Sequence, residues 1–219
     1  MASNMIHYVI SKRVAELTKI ENLDRFLLGA VVAPDASTHA DGSYDCAHFG
    51  GQSAGGTRKG IDFNRFADKY GERFETDSFY LGYWCHLIED AVWLHDMADK
   101  YVRIHTGEEK KAYYQKGYRD YERLNYLLQK EYRLQKPEFK SLEVPVDEVC
   151  TDLIETMVVS AFGYFDAKPC EKRDLELYPW EVIASYIDNC VRICAEEIEK
   201  WKKGKEAVGA EQYYVAVRQ

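Results

Sequence analysis

The sequence lacks the long apolar runs and the surplus of positive charge that typify membrane-spanning and nucleic-acid-binding proteins. No stretch of its 219 residues approaches the roughly 20 apolar residues of a spanning helix. Residues 1–20 mix lysine, arginine and glutamate with apolar side chains, and no apolar block leads to a small-residue cleavage site. The formal net charge of −8 disfavours general binding of nucleic acid. We therefore expect a cytoplasmic protein.

Cysteines at disulfide or zinc-finger spacing are also missing. The six cysteines are scattered, at Cys46, Cys85, Cys150, Cys170, Cys190 and Cys194. In a chain of this length they predict no disulfide framework, and we interpret them as small buried hydrophobes. Internal repeats and low-complexity segments are absent as well. One domain over residues 1–219 is therefore expected, with 204–219, which has no helical period, as a flexible tail.

Apolar residues concentrate in FYLGYWCHLIEDAVWLH, residues 79–95. One helical face of this stretch carries residues at alternating three- and four-residue steps: Phe79, Tyr83, His86, Asp90, Trp93 and Met97. The opposite face is apolar too, and a helix that is apolar nearly all round is buried. Strand signals are few. The sequence therefore predicts an all-α, single-domain fold around a buried central helix at about residues 77–104.

His86 and Asp90 lie one turn apart in this buried helix, and two interpretations fit them. A buried carboxylate is very costly unless a cation or several donors accompany it, and a metal ion would supply the cation. The other interpretation is a hydrogen-bonded His–Asp pair in a helical core. H-x-x-x-D alone favours the hydrogen-bonded pair, because short motifs have many false positives.

A first helix, capped by Ser3 or Asn4 and running to about Ile20, places His7 on its inward face. The helix N-terminus disfavours an imidazolium and so keeps His7 neutral and able to bind a metal. A capping or core histidine is the alternative. Asp35 follows Pro34, which would end a short helix over residues 25–33.

A long glycine-rich loop is expected over residues 36–60, and it contains His39, Asp41, Asp45 and His48. Such a loop in a compact domain is usually functional or disordered. The alternative is a solvated loop in which the aspartates only make turns. Further helices are expected at 61–73, 110–134, 145–165 and 179–203. The role of the tyrosine-rich helix 110–134 stays open, with amphipathic packing preferred.

Taken together, His7, Asp35, His48, His86 and Asp90 form a candidate set of metal ligands. Imidazole and carboxylate ligands suit zinc, and also iron or manganese. Five such groups are enough for a dinuclear site in which one carboxylate bridges the two ions.

The segments MIHYVISKRVAE, FLLGAVVAPDAS, CAHF and FYLGYWCHLIEDAVW resemble the bacterial zinc-dependent phospholipase C family. Its fold is shared with the single-strand-specific nucleases of fungi and plants, and the resemblance covers residues 4–95 in order. It implies an all-α fold with phosphoester-hydrolysing metal ions in a cleft between helices. It further implies that Asp35, His48, His86 and Asp90 hold one ion, and that Asp90 bridges to a second ion held by His7.

The sequence departs from the family in two places. Secreted family members use the amino group of an N-terminal tryptophan as a ligand, and this chain begins Met-Ala. Family members also bind a third metal through a later histidine and an H-x-x-x-E motif. His95, His105 and Glu109 are the candidates here, but their spacings are shorter than the family's. A solvated helix end is the preferred interpretation of His105 and Glu109.

The expected activity is metal-dependent hydrolysis of a small phosphoester, with two zinc ions and a possible third, and with manganese or iron as alternatives. We expect Asp35 or Glu89 to orient the attacking water, and His39 or Asp41 to contact the substrate. The sequence leaves open whether that substrate is a phospholipid head group, a nucleotide or a small phosphodiester. It also leaves the oligomeric state open.

Parts of the sequence suggest three other functions. One is a metal-stabilised helical protein with a closed, non-catalytic site. Another starts from WLHDMADK, which looks like the motif of the His-Asp phosphohydrolase superfamily and would place His95 and Asp96 at the metal. That interpretation leaves MIHYVI and VAPDAS unexplained. A di-iron oxidase is disfavoured, since its Glu-x-x-His pairs are absent.

Overall fold

Helices dominate the computed structural model, which describes residues 2–218, and the predicted all-α fold is confirmed. The helices are α1 (Asn4–Thr18), α2 (Leu23–Leu27), α3 (Ser43–Ala47), α4 (Phe63–Tyr70), α5 (Ser78–Val92), α6 (Asp99–Tyr101), α7 (Gly107–Glu131), α8 (Ile154–Gly163) and α9 (Trp180–Lys202). Three short strands, β1 (Gly50–Gln52), β2 (Arg58–Ile61) and β3 (Val215–Ala216), pair antiparallel in that order. Within residues 2–218, no helix has the length and apolar character needed to cross a membrane.

The central helix α5 begins where the sequence predicts. Asp77 is its N-cap, and the carboxylate accepts a hydrogen bond from the Phe79 N–H at 3.0 Å. Every residue from Phe79 to Val92 is buried. A π-helical turn, Trp93–Ala98, and α6 then continue the helical path to Tyr101. Helices α1, α2, α4 and α9 surround α5, so its polar residues lie in the middle of the core.

Two glycines allow α5 to cross α2 with the two backbones in contact. A Cβ atom on Gly82 would lie 2.0 Å from the Phe26 carbonyl oxygen, and one on Gly29 would lie 2.1 Å from the Phe79 oxygen. Gly29 belongs to a π-helical turn, Leu28–Val32, that continues α2 up to Pro34. Single π turns are frequent at functional sites. This close crossing brings the backbone of the π turn beside His86.

The glycine-rich segment 36–60 is not structureless, which corrects the prediction of a long loop. It contains α3 and the β1–β2 hairpin. The hairpin glycines make room for the Tyr214 ring, because a Cβ on Gly60 would lie 2.4 Å from Tyr214 Cδ1. Glycine weakens local strand propensity, so the strand signal in this segment is hidden and the pairing depends on a residue from the other end of the chain.

The segment predicted as a tail contributes to this small sheet. Residues Ala210–Tyr213 form a 3₁₀ turn, and β3 pairs with β2 through Lys59 opposite Val215. The Ala210 N–H donates to Asn64 Oδ1 at 2.6 Å, and Tyr214 is buried. The last part of the described chain therefore closes the edge of the hairpin that precedes α4.

We expect Gly82→Ala to lower the free energy of unfolding by at least about 1–3 kcal/mol, because the new methyl group would overlap backbone atoms that cannot move independently. Chemical denaturation measures the change. Gly163→Ala is the matched control: nothing lies within 4 Å of its added Cβ. A Gly82→Ala protein as stable as the Gly163→Ala protein would contradict the close crossing.

Candidate metal centre

The five predicted ligands converge on one buried cluster. α1 supplies His7, the turn after Pro34 supplies Asp35, the C-terminal end of α3 supplies His48, and α5 supplies His86 and Asp90. Two overlapping triads have ligand atoms that all lie within 4.8 Å of one another: His7, His86 and Asp90, and Asp35, His48 and His86. The side chains of the three histidines and Asp90 are at most 1% exposed, and that of Asp35 is 7% exposed.

The Nε2 atoms of His48 and His86 face each other. His86 Nδ1 lies 2.9 Å from the Ala30 carbonyl oxygen, and His48 Nδ1 lies 3.1 Å from the Tyr44 carbonyl oxygen. A carbonyl oxygen only accepts hydrogen bonds, so each Nδ1 must carry the proton. In the neutral rings, both Nε2 atoms are then lone-pair acceptors, and they lie 3.3 Å apart. Such an arrangement calls for a cation between them.

Asp90 faces both sides of the cluster. Its Oδ1 atom lies 3.4 Å from His7 Nε2, whereas its Oδ2 atom lies 3.6 Å from His86 Nε2 and 3.6 Å from His48 Nε2. The Ala2 N–H donates to Oδ1 at 2.9 Å. The carboxylate thus directs one oxygen toward each group of histidines, as a bridging ligand would.

Asp35 is held in place by Asn4, which was predicted only as a cap of the first helix. The Asn4 amide donates to Asp35 Oδ2 at 3.0 Å and to the Val31 carbonyl oxygen at 2.7 Å. Its own oxygen accepts from the Tyr164 hydroxyl at 3.3 Å. The other carboxylate oxygen, Asp35 Oδ1, lies 3.5 Å from His48 Nε2. Asn4 therefore occupies one oxygen of Asp35 and leaves the other directed at the cluster.

Glu89 lies behind His7. Its Oε2 atom is 2.6 Å from His7 Nδ1, on the edge of the ring opposite the Nε2 atom that faces Asp90. The Tyr186 hydroxyl donates to the Glu89 carbonyl oxygen at 2.7 Å and anchors this part of α5 to α9. Carboxylates placed in this way commonly fix the orientation and tautomer of a metal-binding histidine. Glu89 is thus placed to orient His7, whereas the sequence predicted that either Asp35 or Glu89 would orient the attacking water.

The ionisable groups shift one another strongly. Burial lowers the pKa of His7, but the Asp90 and Glu89 carboxylates outweigh burial and raise it to about 10. Burial raises the pKa of Glu89 to about 7 and lowers that of His86 to about 3. Burial also acts to raise the pKa values of Asp35 and Asp90, yet both pKa values fall below their usual range because the neighbouring histidines favour the charged carboxylates.

The donor set fits a zinc-type ion. Four buried atoms of the cluster have no hydrogen-bond partner among residues 2–218: His7 Nε2, Asp35 Oδ1, Glu89 Oε1 and Asp90 Oδ2. All but Glu89 Oε1 belong to the converging triads. Tetrahedral zinc with bonds of about 2.0–2.1 Å separates its ligand atoms by about 3.3–3.4 Å. The separations of 3.3–3.6 Å between His48, His86 and Asp90 are close to that value.

The predicted third-metal residues lie outside the cluster. His95 Nδ1 bonds Asp96 at 3.0 Å, and the His95 side chain is 41% exposed. His105 Nδ1 lies 3.2 Å from Glu109 Oε1, which agrees with the preferred solvated helix end. In the part of the chain that the structure describes, no group of three or more potential ligands includes any of these residues.

The two predicted substrate contacts differ in their positions. Asp41 is exposed and accepts from the Ser43 N–H at 2.9 Å, so it forms a turn before α3. The exposed His39 ring lies 3.9 Å from the Tyr44 ring, which in turn stacks on His48 at 3.9 Å. His39 therefore lies on the solvent side of the cluster, separated from it by Tyr44.

A family model matches most of the chain. The family is described as zinc-dependent phospholipase C, and the match covers residues 6–167 of 219. That range includes every ligand in the two triads. No curated protein and no solved structure matches the chain.

Zinc binding to the metal-free protein at pH 8 should release about one proton from His7, because a ligating histidine must be neutral. The raised pKa of about 10 means that this proton is present at pH 8. Zinc affinity should consequently fall as the pH falls from 9 to 7. Calorimetry in buffers of different ionisation enthalpy counts the protons. His105→Ala, outside the cluster, is the control, and zinc binding without proton release would show that His7 is not a ligand.

Asn4→Ala should weaken zinc binding about 10- to 100-fold, since Asp35 would lose the partner that orients it. Tyr164→Phe removes only one contact of Asn4 and should have a smaller effect. Competition with a chromophoric chelator measures each affinity. Asn189→Ala on α9, where the amide bonds Arg192, is the control. If the Asn4→Ala and Asn189→Ala proteins bound zinc with equal affinity, Asn4 would have no role in supporting the site.

Proposed function

Because the chain belongs to the zinc-dependent phospholipase C family, we propose that it hydrolyses phosphoester bonds at a zinc centre formed by the buried cluster. The ligands would be His7, Asp35, His48, His86 and Asp90. The observation that carries the proposal is the pair of facing Nε2 atoms of His48 and His86, which lie 3.3 Å apart while each Nδ1 atom faces a carbonyl oxygen. Nitrogen and oxygen donors in this arrangement favour zinc, with manganese or iron as weaker alternatives.

We propose two ions, because Asp90 divides the cluster into two sides. His7 faces Asp90 Oδ1, and His48 and His86 face Oδ2. The Asp35 Oδ1 atom lies on the same side as His48 and His86, at 3.5 Å and 3.9 Å. A carboxylate that bridges two ions in this way is typical of dinuclear phosphoesterases.

When bound, zinc would supply a Lewis acid for a phosphoryl oxygen and lower the pKa of water toward neutrality. The chain's own residues keep the site rigid. The Ala30 and Tyr44 carbonyl oxygens fix two imidazole rings, Glu89 fixes the third, and Asn4 and the Ala2 N–H each hold one carboxylate. Asp35 is the most exposed of the five ligands, so substrate would approach from its side of the cluster.

A closed, non-catalytic metal site is the second candidate, and the near-complete burial of the histidines favours it. A structural site uses all its coordination positions for protein ligands, whereas a catalytic site keeps one for water or substrate. The His-Asp alternative gains no such support. Asp96 also accepts from Lys100 at 2.9 Å, and within the described chain His95 and Asp96 belong to no group of three or more potential ligands.

The test is hydrolysis of bis(4-nitrophenyl) phosphate by metal-free protein titrated with zinc or manganese. We expect activity to return and to reach its maximum near two equivalents. Asp90→Ala should bind neither ion and lose activity by a factor of at least about 10³, because it removes the proposed bridge. His7→Ala should lose mainly one ion. Metal stoichiometry and turnover are measured on the same folded samples.

Asp96→Ala is the matched control, since it removes a carboxylate six residues along the same helical path and should retain both ions. If the Asp96→Ala protein lost its metal and the Asp90→Ala protein kept it, the metal site would be the His-Asp motif and not the buried cluster. Fully loaded wild-type protein that turns over no phosphodiester or monoester would support the closed site.

A further inference from the structure

A pocket of about 450 Å³ opens between α7 and the segment 163–170 that follows α8. Its lining includes Asn125 and Tyr164, and we refer to it as the α7–α8 pocket. Tyr164 connects it to the metal cluster: its hydroxyl donates to Asn4 Oδ1 at 3.3 Å, and Asn4 Nδ2 donates to Asp35 Oδ2 at 3.0 Å. The wall of the pocket is thus two hydrogen bonds away from the most exposed of the proposed ligands.

Asn125 is the feature of this pocket that points to a ligand. The residue is only 9% exposed, and its side-chain amide makes no hydrogen bond with any other residue in 2–218. An amide offers two donors and an acceptor, and those of Asn125 remain available to a molecule in the pocket. Tyr164 accepts from Ser160 Oγ at 3.4 Å and keeps room for one more hydrogen bond. The Asn125 amide can donate and accept, whereas the Tyr164 hydroxyl, whose proton is donated to Asn4, can only accept. A ligand hydroxyl, which both donates and accepts, can pair with each of them.

The charges around the pocket cancel. Arg123 is paired with Glu176 at 2.7 Å and with Asp120 at 3.1 Å, and Asp166 lies 3.9 Å from Lys136. Glu122 and Lys168 also line the pocket, carry opposite charges, and form no ion pair with another described residue. The pocket thus has no net charge that would favour an anion or a cation. Its volume is within the usual range for small-molecule sites, about 300–1,000 Å³.

We propose that the α7–α8 pocket binds an alcohol group of the phosphoester substrate, and that this group is an uncharged, hydroxyl-bearing one such as a polyol. The proposal rests on the phosphoesterase function, because it takes the phosphorus atom to lie at the metal cluster. With the phosphoryl group near Asp35, one ester group extends past Tyr164 and places its hydroxyls against the Asn125 amide.

The experiment compares three 4-nitrophenyl phosphodiesters whose second ester group is glycerol, propyl or choline. Glycerol and propyl have the same number of carbon atoms but differ in hydroxyls, and choline adds a positive charge. In zinc-loaded wild-type protein, kcat/KM for the glycerol ester should exceed that for the propyl ester about three- to tenfold, as expected for one or two hydrogen bonds. Asn125→Leu should remove that preference, mainly by raising KM for the glycerol ester. If the Asn125→Leu protein does not fold, Asn125→Ala is used in its place.

Gln115→Leu is the matched control, because Gln115 is an exposed amide ten residues earlier on α7 and does not line the pocket. It should keep the glycerol preference. A wild-type protein without the preference, or an Asn125→Leu protein that keeps it, overturns the proposal. If the wild-type protein prefers the choline ester and Asn125→Leu abolishes that preference, the pocket binds a cationic group, and the proposal of an uncharged ligand is overturned.

A second measurement separates this proposal from the phosphoesterase function. Saturation-transfer NMR of the glycerol ester with metal-free protein needs no turnover. Saturation of the glycerol protons in the wild-type and Gln115→Leu proteins, but not in Asn125→Leu, supports the pocket even if no ester is hydrolysed. Absence of saturation in the wild-type protein overturns the pocket, whatever the hydrolysis assay shows.

Discussion

Two imidazole Nε2 atoms that face each other, 3.3 Å apart inside the core, are the constraint on which the structure of the site depends. The Ala30 and Tyr44 carbonyl oxygens favour this arrangement, because each accepts the Nδ1–H of its ring and leaves Nε2 as the acceptor of the neutral imidazole. Two lone pairs and two carboxylates cannot remain close in an apolar interior without positive charge. In the metal-free chain, His7 supplies some of that charge, which is why its pKa is raised to about 10. A metal ion would take over the same task.

The fold supplies the precision that this chemistry needs. The α5–α2 crossing, made close by Gly29 and Gly82, sets the distance between His86 and the carbonyl oxygen of Ala30. The π turn of Leu28–Val32 presents that oxygen outside the regular helical hydrogen-bond pattern. The start of α1 then holds Asp90 through Ala2 and Asp35 through Asn4. Each proposed ligand thus has one atom fixed by the chain and another directed into the cluster.

The sequence predicted which residues come together in the cluster better than it predicted the residues that support them. His86 and Asp90 share a helical face, so their spacing alone brings them together, and Asp77 is a recognisable cap. Asn4 is three residues before His7 on the same helix, which was the available signal for its role, but its contacts to Asp35 and Tyr164 depend on tertiary packing. The β1–β2 hairpin could not be predicted from the sequence, because its glycines make room for the ring of Tyr214, which lies far away along the chain. Likewise, the Glu89 carboxylate turns toward His7 through a contact between helices that no local pattern encodes.

The order of the elements has a consequence for how the site is assembled during synthesis. All the proposed ligands lie between residues 7 and 90, whereas α9, which packs on α1 and donates the Tyr186 bond to α5, begins at Trp180. At about 5–20 residues per second, the ribosome needs about 5–18 s to add the intervening chain. The complete donor set is therefore outside the ribosome, and open to a metal ion, several seconds before the helix that encloses it has been made.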